Sequence, residues 1–335
     1  MISQKIKEKA LALGYTTCGI IKSVAFDEYV QRVNERIDAF PESWEQYEYF
    51  RDHAKPQENG NSIIVCTRGF TKYKTAKSLE GFVGKVYMFD NRVPYTQEHR
   101  DKLEFEDYLK ILGMKIIKGY VPARWAAAEA GIGKFGYNNF IYDTENGSNL
   151  WIDTWIVDTE LEYDTAPENK LMSACSDKCG KCIEACPTNA MKGKLSMDMG
   201  RCITSVQTNK HRIQKEDIRS QMSTWIYGCD ACQDACPVNK NKNTKTEDFP
   251  LLSEHESYLQ LENILTMDED TYLNVVNPRF WYAGEEGLWM WKYNALRSMI
   301  NTGDSKYHAL IKQHCDNKDD RLKEIAKWGC DKLGI

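Results

Sequence analysis

The sequence predicts an α+β protein in three parts: an α/β domain over residues 1–166, a metal-organised segment over 167–245 and a short helical tail over 246–335. Three observations carry that reading. Helical and strand signals alternate along the first part, two cysteine runs each close on Cys-Pro, and two helical stretches end the chain. At 335 residues, 42% hydrophobic and 28% charged, the composition is that of a globular protein large enough for two or three domains.

In order along the chain, Ser3 is expected to cap a helix whose apolar positions Ile2, Ile6, Ala10 and Leu13 recur at helical spacing, with Gly14 as its stop. Tyr15 to Ile21 reads as a strand. Phe26, Tyr29, Val30, Val33 and Ile37 mark a second helix ending near Pro41, and Ser62 to Thr67 is a short buried strand, with another expected at Gly84 to Phe89. Leu103, Leu109 and Leu112 lie on a helix closed by Gly113, and Met114 to Lys118 follows as a strand. Pro122 suits the first turn of a helix over Ala123 to Ala130. Tyr137 to Tyr142 and Asn149 to Asp158 read as a hairpin turning at Glu145-Asn146-Gly147. The tail is expected to pair Trp289–Thr302 with Asp319–Leu333 as antiparallel helices, like one HEAT-type repeat, packed on the rest of the chain.

The cysteine runs are Cys175-x3-Cys179-x2-Cys182-x3-Cys186-Pro187 and Cys229-x2-Cys232-x3-Cys236-Pro237, with Cys202 between them. Eight thiols suffice for two [4Fe–4S] clusters. A Cys-x2-Cys turn points neighbouring sulfurs at one cluster, and the proline then turns the chain so that the last cysteine reaches the other cluster, as in two-cluster ferredoxins. That pattern assigns Cys175, Cys179, Cys182 and Cys236 to one cluster and Cys186, Cys202, Cys229 and Cys232 to the second. The alternatives are zinc ribbons and disulfides, but zinc gives no reason for the further Cys-Pro cysteines. The first run is one residue longer than the usual ferredoxin spacing, at Cys175. The segment has little apolar periodicity, so loss of iron should unfold it.

Eight of the twelve cysteines used this way need a reducing compartment, and no signal core or apolar span is present, so a cytoplasmic protein with no membrane partner is expected. Cys18, Cys66, Cys315 and Cys330 are left as small buried hydrophobes. A net charge of −5 gives no support to general nucleic-acid binding. His99 and His211 are read as exposed. Gly131-Ile-Gly-Lys-Phe-Gly136 fits the dinucleotide fingerprint, but a helix precedes it and a strand follows, the reverse of the order that motif needs.

Three strings, Gly14-Tyr-Thr-Thr-Cys-Gly-Ile20, Arg124-x4-Glu129-Ala-Gly-Ile-Gly-Lys134 and Ile226-Tyr-Gly-Cys-Asp-Ala-Cys-Gln-Asp-Ala-Cys-Pro237, together with Arg201-Cys-Ile203, resemble the epoxyqueuosine reductases. Those enzymes are grouped with the reductive dehalogenases as cobalamin-dependent iron–sulfur proteins. The resemblance, over about residues 3–250, implies a nitroreductase-like cobalamin-binding α/β domain. Two clusters fed by an external ferredoxin- or flavodoxin-type donor would pass electrons to base-off cobalamin, and a side chain would donate a proton to the substrate. It also implies that Gly131, Gly133, Lys134, Phe135, Gly136, Tyr137 and Asn138 lie against the corrin.

The sequence departs from that family at the acid. Ile117 or Lys118 stands where its proton-donating aspartate is expected, and Glu129 is the one carboxylate between Asp107 and Asp143. Tyr120, Tyr95 and Tyr87 are the candidate donors in its place, with Arg124 as an anion clamp. The tail, implicated in those enzymes in holding tRNA, is also shorter. The expectation is therefore a small organic substrate, with reduction of epoxyqueuosine in tRNA or a non-catalytic electron carrier as the alternatives.

Overall fold

The computed structural model describes residues 1–176, 178–208, 214–242 and 244–335; His211 lies outside the described residues. Strands β1 (Thr17–Lys22), β2 (Ser62–Gly69), β3 (Ile116–Ile117) and β4 (Leu150–Val157) form one antiparallel sheet in the order β1-β2-β4-β3. Because side chains alternate along a strand, its two faces feed two cores. Ile21, Ile63 and Val65 meet Tyr29 and Val33 of helix α1 (Asp27–Ala39), Tyr47 of α2 (Trp44–His53) and Trp125 of α3 (Ala123–Glu129). Ile20, Ile64, Cys66 and Trp155 face Ile6, Ala10, Phe105 and Leu109 from the helices Ile2–Ala12 and Gln97–Ile111. Each such aliphatic side chain contributes roughly 1.5–3 kcal/mol on burial. Gly19 lets the end of α3 pack flush on β1, since a Cβ there would fall 2.6 Å from that of Ala130.

Several expected elements differ. Ser3 is inside the first helix, and its Oγ accepts from the backbone N–H of Glu162 at 3.0 Å, so it ties down the end of the α/β layer instead of capping. Gly84 to Phe89 is not a strand but a helical turn, Lys85–Met88, whose first N–H is taken by Asp230 Oδ2 at 2.8 Å. Tyr137 to Tyr142 is not one strand: Asn139 takes a left-handed backbone (φ +64°), and only Ile141–Tyr142 pairs, with Lys134–Phe135. Asp143 and Gly147 close a local turn, and β4 pairs with β2 and β3 instead of forming a hairpin. His99 is half-buried, with Nδ1 enclosed and without a hydrogen-bond partner among the described residues.

In the tail, helices α4 (Leu288–Thr302) and α5 (Asp320–Leu333) run parallel, not antiparallel: Arg321 lies over Trp289 near their starts, and Lys332 bonds Asn301 at 2.9 Å near their ends. An intervening helix, His308–Gln313, reverses the chain between them. Of the four leftover cysteines, Cys66 is buried. Cys18 sits half-buried opposite it, and Cys315 and Cys330, also half-buried, bring their sulfurs to 3.3 Å. No helix among the described residues is long and apolar enough to cross a membrane.

The divisions at 166/167 and 245/246 stay a proposal, because one core crosses both: Phe70, Val83, Phe89, Ile226 and Tyr227 pack with Phe280, Trp291 and Leu296. Polar groups tie this core to the second cysteine run. The buried Arg297 donates to the carbonyls of Ser223, at 3.0 Å, and Trp225, and Ser298 Oγ donates to that of Thr224 at 2.9 Å. Arg297→Leu strips two carbonyls of their donor and should lower unfolding free energy by about 2–4 kcal/mol, read from urea melts followed by tryptophan fluorescence.

Candidate iron–sulfur site and its surroundings

Cys175, Cys179, Cys182 and Cys236 line one cavity, together with Gly136, Tyr137, Asn138, Tyr142, Lys181 and Pro237. Two distant stretches of chain therefore meet there, the Cys-Pro end of the second run joining the start of the first. Cys186, Cys202, Cys229 and Cys232 feel one another as a second group, and Cys182 is the neighbour that links Cys232 to the first. Burial pushes all of the second group's shifted thiols up, and pushes Cys182 up to about 11. A cationic metal centre reverses that preference by holding thiolates and releasing their protons.

Local structure aims these sulfurs. Each Cys-x2-Cys turn opens a single turn of helix, Lys181–Glu184 or Ala231–Asp234, and Pro237 starts the next turn after Cys236. The backbone N–H of Ala190 donates to Cys186 Sγ at 3.2 Å. Asn138 Nδ2 donates to the Tyr142 hydroxyl at 2.8 Å and to the carbonyl of Cys232 at 3.3 Å, so one amide spans both sulfur groups.

Of the residues expected against a corrin, Gly136, Tyr137 and Asn138 line the four-cysteine cavity. Phe135 packs in the core, 5.0 Å from the Trp125 ring, Lys134 and Gly131 are exposed, and Gly133 is buried against Ile141. Arg124 lies exposed over the Phe140 ring at 4.6 Å, donates to the carbonyl of Asn139 at 3.1 Å, and has no carboxylate partner among the described residues. Burial raises Tyr120 and Tyr87, and Arg124 pulls both back. Tyr87 also feels Cys202, which places it at the second sulfur group. Tyr95 stands apart, its hydroxyl accepting from Arg279 at 3.2 Å. Glu129 is held by Lys170 at 3.1 Å.

Residues without a sequence signal complete the surroundings. Tyr29 lies beside Tyr120, and Arg36 donates to Asn139 Oδ1 at 2.7 Å, so Tyr29, Arg36, Tyr120 and Arg124 form one basic, phenol-rich cluster around Asn139. The buried Asp230, next to Cys229, is pushed up to about 6 by desolvation against the pull of Lys85. Only the fold brings these groups together.

Residues 175–239 match the family model described as a 4Fe-4S double cluster binding domain. A double-cluster segment of this kind, docked on an α/β layer, defines an iron–sulfur oxidoreductase. The epoxyqueuosine reductase of Staphylococcus aureus is 31% identical over 266 residues, covering 75% of this chain and 68% of its own. The chain belongs to the epoxyqueuosine reductase family. The fold agrees: the structure of the Bacillus subtilis epoxyqueuosine reductase superimposes with a TM-score of 0.79 at 20% identity, covering 100% of this chain and 91% of its own. An epoxyqueuosine reductase solved with an epoxyqueuosine-modified tRNA stem loop gives 0.77 at 21%, covering 100% and 90%.

Gly228 precedes Cys229 at φ +81°, where a Cβ would lie 2.4 Å from the Tyr87 ring. Gly228→Ala should therefore cost about 1–3 kcal/mol and lower iron content, measured by metal analysis after anaerobic reconstitution.

Proposed function

We propose that this protein is an epoxyqueuosine reductase acting on tRNA. The observation that carries the proposal is the family membership, with eight cysteines disposed as two four-sulfur groups beside a basic, phenol-rich face. This favours the alternative weighed from sequence over the small organic substrate expected there. Cys175, Cys179, Cys182 and Cys236 would hold one cluster and Cys186, Cys202, Cys229 and Cys232 the other. When bound, the clusters would supply single-electron transfer from an external low-potential donor of ferredoxin or flavodoxin type.

Removing an epoxide oxygen reductively takes two electrons and two protons and releases water. Cobalamin, implied by resemblance, would supply a centre able to deliver both electrons. The residues around Arg124 suit it: Arg124 offers a cation with no carboxylate partner among the described residues, Phe140 a ring face, and Tyr87 and Tyr120 hydroxyl donors. This chain's own residues supply one of the two protons, and solvent supplies the other. Tyr120, pushed further toward its neutral form by burial and lying beside Tyr29, is the donor, and Arg124 stabilises the phenolate it leaves.

The missing carboxylate is the observation behind the other reading, a small organic substrate. An assay of anaerobically reconstituted protein, with and without cobalamin, on tRNA containing epoxyqueuosine separates the two: turnover supports the proposal and its absence sinks it. Cys232→Ala should lose one cluster's iron and all reduction. Tyr120→Phe should keep full iron and lower the rate about 100-fold; undiminished turnover would place the donor elsewhere.

A further inference from the structure

Trp281 and Tyr282 stack on each other at the surface, with ring centroids 4.2 Å apart and planes 17° from parallel. They keep 41% and 42% of their surface exposed, in a turn closed by Gly284. The pair is held in place. Arg92 lies 4.4 Å from the Trp281 centroid, donates to the Tyr282 hydroxyl at 3.0 Å and is itself fixed by two bonds to the buried carboxylate of Asp90. The Tyr282 N–H donates to the Tyr227 hydroxyl at 3.0 Å, and its ring meets Tyr87 edge-on at 5.5 Å. Tyr87 in turn borders Cys202 and Arg124, so the aromatic line runs from the surface to the second sulfur group.

We infer that Trp281 and Tyr282 are a stacking platform for an unpaired nucleobase of the RNA loop that carries the substrate nucleotide. The inference rests on the tRNA reading and names the surface that reading requires. A pre-stacked indole and phenol extend to a third flat ring at little entropic cost, and an adjacent guanidinium strengthens such stacks. Glu285 and Glu286, on the next turn, repel phosphate, so the platform takes a base face and leaves the RNA backbone to other groups. Continuity with Tyr87 puts that base beside the nucleotide being reduced.

The test uses anaerobically reconstituted holoprotein and a fluorescein-labelled anticodon stem-loop, with a blunt-ended two-strand RNA duplex as control, followed by anisotropy across a salt series. The wild type should prefer the stem-loop. Trp281→Ala should weaken stem-loop binding about 10-fold, leave duplex binding, iron content and the slope of log K against log salt unchanged, and be rescued by Trp281→Phe. Equal stem-loop affinity in wild type and variant, or a changed salt slope, overturns the inference. So does loss of cobalamin retention in Trp281→Ala, which would give the pair to the corrin. Failure of the tRNA reading shows separately, as a wild type with no turnover of epoxyqueuosine.

Discussion

Sulfurs carried by two separate stretches of chain have to arrive at one cavity, and the surrounding structure is arranged to bring them there. The segment that bears them has little core of its own, chiefly Ile203, Ile218, Met222 and Trp225. Its positions are set by polar contacts to the α/β layer instead. Asn239, just past Cys236, donates to Ser148 Oγ at 2.9 Å and to the carbonyl of Gln233 at 2.8 Å while accepting from the Ser148 N–H. Ser148 Oγ in turn donates to Gln233. Such a buried, mutually satisfied set fixes orientation more sharply than apolar packing does.

The tail acts on the same problem from the other side. Arg297, Ser298 and Asn301 of α4 hold the carbonyls of residues 219 and 223–225, the approach to Cys229. Desolvation lowers the Arg297 guanidinium to about 10, which leaves it charged near neutrality and its hydrogen bonds intact. A short tail can thus position the second cysteine run through one helix face, whatever else it contacts.

The parts legible in the sequence are those encoded locally. Cysteine spacing states its chemistry within a dozen residues, and the strands Thr17–Lys22, Ser62–Gly69 and Leu150–Val157 announce themselves by apolar runs. What failed was decided at a distance. Gly84 to Phe89 is apolar enough for a strand, but Asp230 captures the Lys85 N–H and stabilises a helical turn. The parallel course of α4 and α5 depends on a six-residue helix too short to show a clear period. The grouping of Tyr29, Arg36 and Asn139 around Arg124 has no local pattern, since it joins residues about a hundred positions apart through the left-handed turn at Asn139.

The proposed reduction turns on what kind of acid the fold can offer. Glu129 is committed to Lys170, and Asp230 bonds the Lys85 backbone. The phenols differ from a carboxylic acid in one useful respect: a phenol is already protonated at neutral pH, and burial pushes Tyr29, Tyr87 and Tyr120 further in that direction. A phenol is a weak acid, however, and its anion must be met by charge as it forms. Arg124 lowers all three tyrosines at once and has no carboxylate to neutralise it among the described residues. On the proposed reading, that pairing of neutral phenols with a free guanidinium does the work a single carboxyl group does elsewhere.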